Sequence, residues 1–304
     1  MKNVLIFLIS LLLFSCGKTS DLDENNIPKK IVVVFNNSGD NTGSLIKARE
    51  KFKNYLSKKL NKEVELYITT DYTSVIEAIN SKKAHIAYLS PFSYILAAQK
   101  KNVTPLVAVG MNGEPRMYSS IIFTSSKSSI KSIEDVKKRA KSLNLCFVDP
   151  ASASGHLVPR AYLESIGLSP DNAFKETLFA GTHPASVLTV TSSKVDIGCT
   201  TAEFGLQKMI KEGIIKKEEV RILWTSDPIV ASPICIRSDI NQEYIEKIKG
   251  IYLNLAKDDP EVFTSYIKVF YADANKMAYF PVSDSLYNGI RKIARGIKDI
   301  NLFK

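Results

Sequence analysis

In Phe147-Val-Asp-Pro-Ala-Ser-Ala-Ser-Gly-His-Leu-Val-Pro159 an apolar run meets a Ser/Gly turn and then a helical pattern. Pro159 has no N–H and its ring collides with the carbonyl four residues back, so regular helix is expected to begin near Gly155. Backbone amides around Ser154 to Leu157 then lack intrahelical acceptors. With the hydroxyls of Ser152 and Ser154 and the positive end of the helix dipole, they can hold a compact, phosphate-like oxyanion without any Lys or Arg. Ala153, between the serines, offers its amide but no hydroxyl.

Four other strand-to-helix turns carry small polar residues. Ser90-Pro91 and Thr182-His183-Pro184 place a capping hydroxyl ahead of proline at the start of a helix. Thr200-Thr-Ala-Glu203 reads as a capping box, and Asp71-Tyr72-Thr73-Ser74 opens another helix. In open α/β sheets such turns gather at the carboxyl ends of the strands, where ligands bind. Five converging turns therefore predict a pocket lined by hydroxyls and amides.

The elements that must position these residues alternate in type, as in an α/β fold. Strands are predicted at 30–36, 64–69, 84–89, 104–109, 118–124, 144–148, 176–179, 197–200, 220–225 and 232–237. Helices are predicted at 43–59, 73–80, 91–100, 132–140, 155–166, 184–192, 202–212, 241–255, 259–269 and 284–298. No repeat of fixed period occurs.

Residues 1–15 join Lys2 to the apolar run Val4–Phe14, too short for a stable membrane anchor and read as a cleaved signal peptide. Leu13-Phe-Ser-Cys16 resembles a lipoprotein signal site that makes Cys16 the lipidated first residue. Residues 16–29 are polar and aperiodic, as in a tether. The remaining chain, about 275 residues, is large for one core and natural for two lobes. Its formal charge of +10 is spread over Lys-Lys pairs on helical segments, which argues for solvated faces and against a nucleic-acid stripe. Cys146, Cys199 and Cys235 each sit in an apolar run without CxxC or His-Cys spacing, so buried thiols are expected and neither metal nor cofactor is.

Taken in order, Ile86-Ala-Tyr-Leu-Ser-Pro91, Asp149-Pro-Ala-Ser-Ala-Ser-Gly-His-Leu-Val-Pro159, Gly181-Thr-His-Pro-Ala-Ser186, Lys194-Val-Asp-Ile197 and Leu223-Trp-Thr-Ser-Asp-Pro-Ile229 resemble the phosphate, phosphite and phosphonate binding components of ABC transporters, the PhnD-type family. The resemblance implies a type II periplasmic-binding-protein fold, with two hinge crossings and a ligand cleft between lobes. On that basis lobe 1 takes 30–118 and 226–304, and lobe 2 takes 119–225. It also implies capture of a small phosphorus oxyanion by hinge closure, an ABC permease as partner and an extracytoplasmic, lipid-anchored location. Carried over residue by residue, ligand contacts fall on Tyr72, Ser90, Tyr118, Ser152, Ser154 and His183, with Ala153 and Thr182 beside them and Glu203 facing a protonated oxygen or an amine.

Two departures bear on the ligand. Ala153 stands where the family commonly has Thr, and Pro184 follows the motif histidine where aminoalkyl-phosphonate binders often carry a carboxylate. The first lowers affinity or shifts preference, and the second favours a small ligand without an amine: phosphite, phosphate or a short alkylphosphonate. The alternatives are a thiamine-phosphate or other organophosphate binder, with Tyr72, Tyr88 and Phe92 available to stack a ring, and a non-transport sensor or adhesin lipoprotein. An enzyme is not expected: Ser154-Gly155-His156 lacks a nucleophile elbow, and no P-loop, dinucleotide fingerprint or zinc signature occurs. His85 and His156 are read as structural, and Trp224 as packing near the hinge.

Overall fold

The computed structural model describes residues 20–36, 43–268, 270–271 and 273–297. The signal segment and Cys16 lie outside them. The first part of the chain runs β1 (Ile31–Asn36), α1 (Gly43–Leu60), β2 (Val64–Thr69), α2 (Tyr72–Asn80), β3 (Ile86–Tyr88), α3 (Pro91–Ala98), β4 (Val103–Met111), β5 (Glu114–Pro115) and β6 (Met117–Tyr118). The middle runs β7 (Ser120–Ser125), α4 (Ile133–Arg139), β8 (Asn144–Phe147), α5 (Val158–Ser165), β9 (Glu176–Phe179), α6 (His183–Thr191), β10 (Ile197–Thr201), α7 (Lys208–Lys211) and β11 (Val220–Thr225). The chain then returns through β12 (Ile229–Val230), β13 (Pro233–Arg237), α8 (Gln242–Asp258), α9 (Pro260–Ile267), β14 (Met277–Pro281) and α10 (Asn288–Gly296).

Two sheets result. One has the order β14-β4-β13-β3-β1-β2, with β5 added to β4, and the other has the order β11-β7-β10-β8-β9. β1, Ile-Val-Val-Val-Phe-Asn, is a continuous apolar run because it lies between parallel neighbours with helices on both faces. Leu45, Phe52 and Leu56 of α1 pack with α8 and α9 on one face of this sheet, while α2, α3 and Tyr287 and Ile290 near α10 cover the other. The second sheet is sandwiched likewise, by α4 and α5 on one side and α6 and α7 on the other. The chain crosses between sheets twice, after β6 and after β11, and β6 and β12 pair antiparallel at the crossing, Tyr118 opposite Ile229. This is the type II periplasmic-binding-protein fold.

Several predictions of local structure need correction: the strand predicted at 118–124 is split into β6 and β7 in different sheets, and the helix predicted at 202–212 opens with a π-helical stretch, Ala202–Gln207. Regular helix does not begin at Gly155: Ala153–Leu157 form a π-helical turn, and α5 starts at Val158. Met277–Pro281, left without an element in the sequence reading, is an edge strand on β4. Of the predicted tether, Ser20–Lys29 is packed structure. Leu22 is buried and bridges Pro28, and Asp21 pairs with Arg237 of β13 and lies 3.1 Å from the Nε2 of His85.

Candidate functional site

Helix starts at the carboxyl ends of strands build the site. Ser152 caps the π-helical turn after β8, its Oγ accepting from Gly155 N at 3.0 Å, and Leu157 N donates to Ser152 O at 3.0 Å. Those two amides are therefore committed; the amides of Ala153, Ser154 and His156 have no intrahelical acceptor, and of these residues Ala153 and Ser154 line the cavity of the site. Gly155 is required by close approach: a Cβ there would run into Val148 and Ser152 Oγ. The turn thus lies flat on the end of the strand.

The other turns deliver their residues to the same place. Ser90 caps α3, and Thr182 caps α6 by accepting from Ala185 N at 3.1 Å. Asp71 caps α2, accepting from Ser74 N at 2.7 Å, which puts Tyr72 at the first helical position. A cavity of about 180 Å³ opens among them, lined by Tyr72, Ser90, Ser152, Ala153, Ser154 and His183.

His183 is buried against Phe204, with ring centroids 5.4 Å apart, and its Nδ1 lies 3.0 Å from Thr200 Oγ1. Burial lowers its pKa to about 3, so the imidazole that faces the cavity is neutral at physiological pH. Thr200 Oγ1 has room beside His183 only because residue 205 is glycine; a Cβ there would overlap it. Tyr72 has Asn36 and Ser152 as hydrogen-bonding neighbours and Tyr118 has Ser154, and burial raises both phenols, so they remain donors.

Not every predicted contact reaches the cavity. Tyr118 packs beneath it on Phe204 at 5.3 Å, and Thr182 stands behind it as a cap. Ser90 lines the cavity, but its Oγ bonds the Ala151 carbonyl across the cleft at 2.9 Å, alongside Ser93 Oγ at 2.9 Å. Glu203 completes no capping box, because Thr201 makes no side-chain cap; its carboxylate accepts from Ser119 N at 3.0 Å, at the crossing between sheets. Of the residues read as structural, His85 Nδ1 accepts from Val32 N at 3.0 Å and His156 Nδ1 lies 2.7 Å from Pro150 O. Trp224 stacks on Tyr162 at 4.2 Å, one residue from the end of β11. The three cysteines of the described residues are free and buried, and no cluster of potential metal ligands occurs among those residues.

Further residues, all but Tyr88 passed over by sequence reasoning, complete the cavity. Phe35, Tyr88, Tyr266, Tyr271 and Phe204 supply aromatic wall, and Arg49 and Lys208 supply positive charge. The sequence predicts an oxyanion turn that needs no Lys or Arg; the cavity as a whole holds one of each. Arg49 left a signal: Leu45, Ala48, Arg49, Phe52 and Leu56 fall on one helical stripe, and a charge on an otherwise apolar stripe needs a reason to be there. No Asp or Glu lines the cavity among the described residues.

Known proteins share this sequence pattern and fold. The Mycolicibacterium smegmatis phosphate-import protein PhnD is 26% identical over 266 residues, covering 84% of this chain and 82% of the relative. The Escherichia coli phosphonates-binding periplasmic protein is 28% identical over 207 residues, 68% of this chain and 60% of the relative. A Prochlorococcus marinus PhnD protein solved in complex with methylphosphonate shares the fold at a TM-score of 0.71 and 20% identity, covering 88% of this chain and 98% of that one. Residues 38–287 match the sequence profile described as ABC transporter, phosphonate, periplasmic substrate-binding protein, and the chain belongs to that family.

Proposed function

We propose that this protein captures a small phosphorus oxyanion outside the cytoplasm, as phosphite, phosphate or a short alkylphosphonate, and presents it to an ABC permease. One observation carries the reading: hydroxyls, two uncommitted amides and a neutral imidazole converge on a cavity whose described lining holds Arg49 and Lys208 but no carboxylate. Charge-assisted hydrogen bonds contribute roughly 1.5–3 kcal/mol each, so a handful offsets dehydration and immobilisation and yields sub-micromolar binding. An aminoalkyl phosphonate would bury an ammonium with no anion to face it, which is costly. Glu203, the one carboxylate considered for that role, is engaged at the crossing. Thiamine phosphate would need more room than about 180 Å³, well below the roughly 300–1,000 Å³ of pockets for larger ligands.

Calorimetry on phosphate-free protein tests the assignment. Phosphite or methylphosphonate should bind at least about tenfold, or ~1.4 kcal/mol, more tightly than 2-aminoethylphosphonate. A preference for the aminoalkyl ligand would overturn it.

The reading is of capture without chemistry, with the lobes closing on the ligand about their two crossings. It includes a lipid anchor at Cys16, supported by Leu13-Phe-Ser-Cys16. Labelled palmitate should enter the wild type and not Cys16→Ser; equal labelling of the two would remove the anchor from the proposal.

A further inference from the structure

Arg49 is hard to explain as a structural residue. It is 6% exposed, on α1, and its Nε has no hydrogen-bond partner among the described residues. No ion pair with another described residue holds it there either; it lies against the Phe35 ring, the guanidinium carbon 5.6 Å from the centroid. Removing a cation from water without a counter-ion is among the more expensive things a fold can do. Yet the side chain lines the cavity, on whose wall no carboxylate lies among the described residues.

Around Arg49 the wall changes character. Phe35, Tyr88 and Tyr266 pack on one another with centroids 4.3–6.2 Å apart, and Val109 and Ile234 extend the apolar surface. The cavity therefore has a polar part at Ser152–Ser154 and His183, and an aromatic part that carries buried Arg49, its Nε without a hydrogen-bond partner among the described residues. A bare phosphite uses only the first.

We propose that the ligand carries a second anionic group, held by Arg49, on a short apolar linker that lies along the aromatic wall. Its class is that of small phosphonates with a terminal carboxylate or second phosphoryl group. Arg suits the role because its planar fork engages either group through two parallel N–H bonds. Lys208, paired with Glu212 at 3.4 Å, adds to the positive potential of the same cavity. This inference rests on the oxyanion reading above and narrows its substrate class.

Calorimetry with matched ligands separates the two. Against the wild type, 3-phosphonopropionate and methylenediphosphonate are compared with propylphosphonate and methylphosphonate. At least one doubly anionic ligand should bind tenfold or more tightly than its singly anionic counterpart, and whichever does so identifies the second group. In Arg49→Met that advantage should fall to within about twofold, because the doubly anionic ligand weakens far more than methylphosphonate, and Arg49→Lys should recover part of it. No gain for either doubly anionic ligand overturns the inference and leaves the oxyanion reading standing. Equal weakening of methylphosphonate in Arg49→Met also overturns it, by placing Arg49 on the first anion. Absence of binding by every phosphorus ligand, methylphosphonate included, is failure of the parent reading. Should Arg49→Met fold poorly, the wild-type comparison alone decides.

Discussion

At the scale of single residues, the cradle separates roles that look identical in sequence. Ser152 and Ser154 flank Ala153, but Ser152 Oγ is an N-cap and Ser154 Oγ caps nothing. Both should lower affinity; Ser152→Ala should also lower stability by about 1 kcal/mol through the lost cap, whereas Ser154→Ala removes no cap and touches stability only through its hydrogen bond with Tyr118. The double variant should lose about 2–4 kcal/mol of binding, since each bond to a charged ligand contributes roughly 1.5–3. Calorimetry and urea denaturation on the three variants check this; unchanged affinity in the double variant would move the ligand elsewhere. Gly205 makes a second, less obvious case. Gly205→Ala pushes a methyl into Thr200 Oγ1, which must rotate away and leave His183 Nδ1 unpaired in a buried site. A residue that touches no ligand should then cost roughly tenfold in affinity, in keeping with the ~1–3 kcal/mol of an unsatisfied buried polar group. Wild-type affinity in Gly205→Ala would show that the Thr200 hydroxyl does not orient the imidazole.

At the scale of elements, most of the strand and helix order was legible because apolar runs and helix starts are local signals. Ser90-Pro91, Thr182-His183-Pro184 and Asp71-Tyr72 are observed as caps at the predicted helices. Signals failed where tertiary contact overrode local preference. Thr200-Thr-Ala-Glu203 has the spacing of a capping box, but Ser119 N, 84 residues away in sequence, claims the carboxylate. The aromatic wall was unreadable for a similar reason: Phe35, Tyr88 and Tyr266 look like core residues, and only the fold shows that one side of their cluster is empty. The segment Ser20–Lys29 teaches the same lesson, since its polar sequence reads as a tether until Asp21 is seen against Arg237, a guanidinium 1% exposed. Arg237 keeps Asp239 at 2.9 Å when Asp21 is removed, and the Asp21 side chain is itself 38% exposed. Asp21→Ala should therefore cost only about 1 kcal/mol of global stability, while releasing Ser20–Lys29 to proteolysis far below the denaturation midpoint. Protease nicking equal to that of the wild type would show that the strap is held by Leu22 and its backbone bonds alone.

At the scale of the whole molecule, the chain has three histidines, and all of them are buried. Burial is the leading cause in each case: it lowers His85 to about 4 and His156 to about 4, and it lowers His183 to about 3. His85 is held down further by Arg237, against the pull of Asp21, and the Pro150 carbonyl offsets part of the effect at His156. In the unfolded chain each returns to about 6.5. The unfolded state thus binds more protons than the native state once pH drops below about 6.5, and stability must fall as pH falls through that window. Each histidine contributes a slope of up to ~1.4 kcal/mol per pH unit, fully developed by about pH 5.5, where unfolding takes up nearly three protons from these groups. Above about pH 7 all three are neutral in both states, and their contribution to stability is constant. Carboxylates held down by ion pairs, such as Asp239 at about 2, add their own loss only nearer pH 4, so from 6.5 to 4.5 the imidazoles dominate, opposed by Asp149, whose carboxyl burial pushes up. Urea denaturation at closely spaced pH values should show a steep decline across that interval. His156→Gln, which keeps a polar group near the Pro150 carbonyl, should remove about a third of the slope; a flat profile between pH 6.5 and 4.5 would mean that the three rings are hydrated and titrate normally in the folded protein.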